Sequence, residues 1–193
     1  MKRLAIVALA SGLVFGPVGP ANSNEFEGPL RDLANSQIVN LVNDPAIIAA
    51  IQGQNSRTAG LSEDEIVAED KKWRAEVGAS DQPTIGPVLE NDVSNMLRAM
   101  RDDSGGLFTE IFVMDQVGLN VAASDTTSDY WQGDEAKWQE TYPKGSGAMH
   151  ISDVELDDST QSYQAQISVA ITDPDSNQVV GAATFGVNIE FLE

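Results

Sequence analysis

The chain contains no cysteine, which removes disulfides, thiolate metal centres and cysteine nucleophiles together. It has a single histidine, His150, around which any Ser-His-Asp triad or zinc site would have to be built. No HExxH, GxSxG or paired-histidine spacing occurs, so His150 reads as a turn or strand-start residue, and neither a catalytic nor a metal site is expected. Basic residues are also scarce: 11 Lys and Arg stand against 30 Asp and Glu, a net charge of −19 at pH 7. Such a surface repels nucleic acid and anionic lipid headgroups, which excludes both as expected partners. Aromatics make up only 6% of the chain. After Phe15 no apolar run approaches the roughly 20 residues that a membrane-spanning helix needs.

What is present starts with that early run. Two basic residues, Lys2 and Arg3, precede an apolar stretch over 4–15 and then small or turn-forming residues, the layout of a cleavable secretory signal. The sequence therefore divides into a signal peptide, 1–23, and one domain, 24–193, secreted or periplasmic and without a membrane span once mature. Removing Lys2 and Arg3 makes the mature chain still more acidic. A hydrophobic share of 41% over 193 residues is enough for one core.

Residues 24–101 carry helical spacing. Leu30, Leu33, Ile38, Leu41 and Val42 recur on one face, and Ile47, Ile48 and Ile51 continue it beyond Asp44-Pro45, where proline fits the first turn of a new helix. Ser62 and Glu65 form a capping-box pattern before Ile66, Trp73 and Val77, with Asp70 and Arg74 as an i,i+4 pair toward solvent. Val93, Leu97 and Met100 predict one more helix over 88–100.

From 102 onward the period changes to two. LFTEIFVMD and LNVAAS read as a hairpin around DQVG, and YQAQISVAI sets Ile167, Val169 and Ile171 against Gln166, Ser168 and Ala170. In the last segment Phe185, Val187 and Ile189 oppose Thr184, Gly186 and Asn188. The expected fold class is α+β, with N-terminal helices covering the apolar face of a central antiparallel sheet. A long insertion over 125–150 separates its early strands from its late ones.

That insertion contains DYWQGDEAKWQETYP, residues 129–143, with two tryptophans, two tyrosines and four acids. Two readings stay open. Tyr130, Trp131 and Trp138 could wall a box whose polar anchor is Asp129 or Asp134, suited to a polar or cationic group. Alternatively the aromatics pack the insertion onto the sheet while the acids face water. Trp131 and Trp138, seven apart, would share a face on a helix. Gln166, Ser168 and Thr184, opposite the aliphatic face, are candidates for a pocket floor.

The order of these patterns resembles the extracellular PAS-like sensor domains called Cache or PDC domains, in particular their single-module secreted branch. The residues that carry the resemblance are DPAIIAAIQGQN (44–55), LSEDEIVAEDKKWRAE (61–76), FTEIFVMDQVGLNVAASDTTSDYWQGDEAKWQETY (108–142) and GAATFGVNIEFL (181–192). The resemblance implies a long N-terminal helix behind a PAS-like antiparallel sheet, and a small-molecule pocket on the other face. Its roof would be the segment between the second and third strands, here residues 129–142. Such domains usually precede a membrane helix and a signalling module. This sequence ends after its last strand, so the expectation is a soluble, non-catalytic sensor without a cofactor, passing its signal to a separate membrane receptor. The rival expectations are an interaction module without a ligand and a carboxylate-dependent hydrolase, for which no acid pair is singled out.

Overall fold

A computed structural model of the chain describes residues 25–157 and 162–192. The expected signal peptide, 1–23, lies outside them. Helix α1 (Glu27–Leu33), a π-helical turn (Ala34–Ile38) and α2 (Val39–Val42) run on without a break, burying Leu30, Leu33, Ala34, Ile38 and Val42. Asp44 accepts a hydrogen bond from the Ala46 N–H at 2.7 Å, and Pro45 takes the first position of α3 (Pro45–Thr58). Proline there costs nothing, because the amide it lacks would have no helical partner.

Helix α4 (Glu63–Glu76) starts with the expected capping box: the Ser62 N–H donates to the Glu65 carboxylate at 2.8 Å, and Glu65 N–H donates to the Ser62 hydroxyl. The Asp70–Arg74 pair forms at 2.6 Å, but Asp70 is buried rather than turned to solvent. The helix expected over 88–100 is two, α5 (Ile85–Leu89) and α6 (Asp92–Asp103). Asn91 divides them. Its side-chain oxygen accepts from the Ser94 N–H at 2.8 Å and its amide donates to the Val88 carbonyl at 2.9 Å, so one residue caps both helix ends.

Strands β1 (Phe108–Met114), β2 (Asn120–Ala123), β3 (Met149–Ile151), β5 (Ser162–Thr172) and β6 (Val179–Asn188) form an antiparallel sheet in the order β2-β1-β6-β5-β3, and β4 (Glu155–Asp157) pairs with β5 as well. The fold class is α+β, with the helices ahead of the sheet in sequence and α1, α2, α3 and α6 packed on one of its faces, the arrangement expected of a Cache-like domain. Ile189, expected at the end of a strand, instead lies in a 3-10 turn that the Asn188 side chain starts by accepting from the Glu190 N–H.

Period-two alternation divides the sheet sharply. Ile111, Val113, Ile167, Val169, Ile171, Phe185 and Val187 join the helices in the main core. Glu110, Phe112, Met114, Gln166, Ser168 and Thr184 belong to the other face. Residues 124–148 connect β2 to β3 and include α7 (Ala136–Gln139), and Trp138 and Tyr142 from this segment pack over that second face. Among the described residues no helix is long and apolar enough to cross a membrane.

Candidate functional site

Three anchors hold the segment over the sheet. The first is α4. One Asp70 oxygen accepts the backbone N–H groups of Tyr130 and Trp131 at 2.9 and 3.1 Å, while the other pairs with Arg74, which also reaches Asp129 at 3.0 Å. One turn on, the Trp73 indole donates to the Thr127 carbonyl at 2.9 Å and its ring stacks on Tyr130, with centroids 5.2 Å apart and planes 6° from parallel. Stacked aromatic pairs contribute about 0.5–1.5 kcal/mol beyond the area they bury. The buried Asp70 is thus explained by a partner sixty positions away.

The second anchor is the β1–β2 turn. Trp131 donates its indole N–H to the Val117 carbonyl at 2.8 Å, and the Gln132 N–H donates to the Gly118 carbonyl at 2.8 Å. The approach is so close that a Cβ on Gly118, whose φ is +87°, would stand 2.5 Å from the Gly133 Cα. Glycine is required on both counts.

The third anchor is the sheet itself. Trp138 donates to the Asp115 carbonyl at 3.2 Å, stacks on Tyr142 at 5.4 Å and packs against Phe112, Met114 and Ala182. Asp115 holds this corner from beneath. Its carboxylate is fully buried and accepts from Gln54 at 3.1 Å, Thr58 at 2.9 Å, Val117 N–H at 2.9 Å and Leu119 N–H at 3.0 Å. Burial pushes its pKa above the ordinary aspartate value, against the opposing effect of those donors.

Between α7, the β3–β4 edge and β5 the roof leaves a cavity of about 340 Å³. Glu135 and Lys137 reach it from above, His150, Ser152 and Glu155 from the edge, and Gln164 and Gln166 from the floor. The Lys137 side chain is only 15% exposed; its ammonium lies 2.9 Å from Glu135, 3.2 Å from the Gln132 side-chain oxygen and 5.6 Å from the centre of the Phe112 ring. Gln166 donates to Glu110 at 2.9 Å, and Gln164 accepts from the Thr109 hydroxyl at 2.6 Å. The floor amides are therefore fixed in orientation before anything binds.

Of the residues that the sequence singled out, Gln166 lines this cavity. Asp129, Tyr130 and Trp131 lie in the first two anchors and Trp138 in the third, while Asp134 is exposed. Ser168 and Thr184 are fully buried, with their hydroxyls bonded to each other at 2.9 Å. Trp131 and Trp138 do not share a helix face, because α7 begins only at Ala136. The sequence marks Lys137 only as the single base in 129–143, among four acids.

No family model and no curated protein matches the chain. Among solved structures it is similar to the sensory domain of the Campylobacter jejuni chemoreceptor Tlp3 with isoleucine bound, at 14% identity over 86% of this chain and 63% of that one, with a TM-score of 0.39. It is also similar to the V. cholerae histidine kinase DctB sensor domain, at 13% identity over 88% of this chain and 57% of that one, with a TM-score of 0.37. A third likeness is to the ligand-binding domain of the Pseudomonas aeruginosa PAO1 amino acid chemoreceptor PctC in complex with GABA: 14% identity, 88% and 62% coverage, and a TM-score of 0.37. The chain spans 57–63% of the length of these structures.

Proposed function

We propose that the chain is an extracytoplasmic, non-catalytic sensor domain that binds a small polar or cationic molecule in the roof-face cavity, its bound state being read by a membrane partner. The observation that supports this most directly is the cavity under an anchored roof, with a mostly buried ammonium and amides held in place by other side chains. Lys137 offers a charge-assisted donor, and the nearby Glu135 and Glu155 carboxylates accept from cationic groups. In this reading Gln166 contacts the ligand, Asp129, Tyr130, Trp131 and Trp138 hold the roof, and Ser168 and Thr184 stiffen the floor. Residues 1–23 are removed on export.

Thermal-shift screening of the purified protein against amino acids, amines, carboxylates and sugars tests the reading. A ligand at a hundred times its Kd stabilises by about 2.7 kcal/mol, which moves Tm by several degrees in a domain of this size. Lys137→Gln should abolish that rise. A screen in which nothing raises Tm, or a ligand that binds Lys137→Gln equally well, counts against the proposal.

One observation favours a second reading, an interaction module without a ligand. Leu156 and Tyr163 are cross-strand neighbours on β4 and β5 and are 49% and 53% exposed, an apolar pair left open to a partner. Under that reading Leu156→Ser with Tyr163→Ser weakens partner capture and Lys137→Gln does not.

A further inference from the structure

A second cavity, of about 530 Å³, lies on the helix side of the sheet among α3, α5, α6 and β2. Ala50, Val88, Val93 and Val121 give it an apolar wall, while Arg57 and Tyr130 bring polar groups to it. Arg31, Lys72, Arg74, Arg101, Lys137 and Lys144 are each ion-paired. Among the described residues Arg57, Lys71 and Arg98 are not, and of these only Arg57 lines the cavity, where it bonds to the Gly53 carbonyl at 3.0 Å, one turn back on its own helix. Asp92 lines the same cavity without pairing with it. Thus in a protein with nearly three acids per base, this guanidinium has no carboxylate partner among the described residues.

Tyr130 enters the cavity from the roof segment. Its ring is held by the stack on Trp73, and its hydroxyl has no protein partner among the described residues. Burial pushes the phenol up to about 12, so it keeps its proton and remains a donor across the physiological range. The Asp115 and Glu69 charges add to that rise and the Arg57 charge acts against it, so the guanidinium is the one cation within electrostatic reach that offsets these acids at the phenol. An unpaired guanidinium, a free phenolic donor and an aliphatic wall are the three parts of a site for an amphipathic anion.

We propose that this cavity binds a small organic carboxylate with an apolar tail, the carboxylate on Arg57 and the Tyr130 hydroxyl and the tail against Val88, Val93 and Val121. The strongly negative chain repels anions at long range, so a carboxylate site must carry its own cation, and Arg57 supplies it. The site is independent of the roof-face cavity, which lies across the sheet.

Calorimetric titration with hexanoate, hexanol and hexylamine tests the proposal. Hexanoate should bind, with hexanol and hexylamine weaker by at least about tenfold, since they lack the charge-assisted bond. Arg57→Gln, on an exposed side chain that the fold does not need, should weaken hexanoate by about tenfold or more and leave hexanol unchanged. Tyr130→Phe should weaken it by about two- to tenfold, and Lys137→Gln should have no effect. The proposal is overturned if hexanoate gives no heat, if hexanol binds as tightly, or if Arg57→Gln binds hexanoate like the parent. Loss of hexanoate binding in Lys137→Gln would also overturn it, because the anion would then occupy the roof-face cavity.

Discussion

The two faces of the sheet are built from the same strands by opposite means. On the helix side Ile111, Ile167, Ile171, Phe185 and Val187 bury fully against α1, α3 and α6. On the roof side polar side chains are paired with one another, Gln166 with Glu110 and Ser168 with Thr184, and aromatic contact is concentrated at Trp138 and Tyr142. One face stabilises by area removed from water; the other spends residues on fixed polar groups and keeps a cavity. Because neighbouring positions on a strand point to opposite faces, changes on one side should read out separately from changes on the other.

The largest effect should come from the helix face. Ile167→Ala leaves a cavity in the core and should cost about 2–5 kcal/mol in chemical denaturation. Next comes the clamp on the roof. Asp70→Ala strands two backbone donors and leaves Arg74 paired with Asp129 alone, so it should cost about 1–3 kcal/mol, and hydrogen exchange should accelerate at the Tyr130 and Trp131 amides while β5 and β6 stay protected. Equal loss of protection in the sheet would show that the two faces are not separable. Lys137→Gln should change stability by no more than about 1 kcal/mol, the scale of a partly exposed ion pair, while removing the ligand-induced rise in Tm.

The smallest effect is on the pH dependence. The folded pKa of Asp115 is raised above its unfolded value, so its contribution is present below the unfolded pKa and is lost as pH rises through the folded one. Asp173, in the β5–β6 turn, is lowered by the Ser176 hydroxyl and the Asp175 N–H, so its contribution is present above the unfolded pKa and is lost as pH falls through the folded one. Stability curves of Asp115→Asn and Asp173→Asn measured against the parent should therefore diverge in opposite directions across the acid range.

Local chemistry was legible in the sequence wherever its cause was local. Alternation at 165–171, the cap at Asp44-Pro45 and the Ser62–Glu65 box each announce themselves within a few residues. Asn91 did not, because Val88, Val93 and Leu97 keep a spacing that one helix would also satisfy. Strands β3 and β4 are three residues each, too short for alternation to show. The burial of Asp70 depends on backbone amides at Tyr130 and Trp131, a contact no local pattern encodes. At the cavity the conspicuous aromatics drew attention to themselves, yet they serve as fastenings, and the single lysine among them carries the charge.

The central claim is that the roof-face cavity is the ligand site, and amide NMR spectra during titration with the strongest thermal-shift binder test it most directly. The account predicts shifts concentrated at Glu135, Lys137, His150, Ser152 and Gln166, with the helix-side core unmoved. Shifts centred elsewhere, with Lys137 and Gln166 unchanged at saturation, would contradict it.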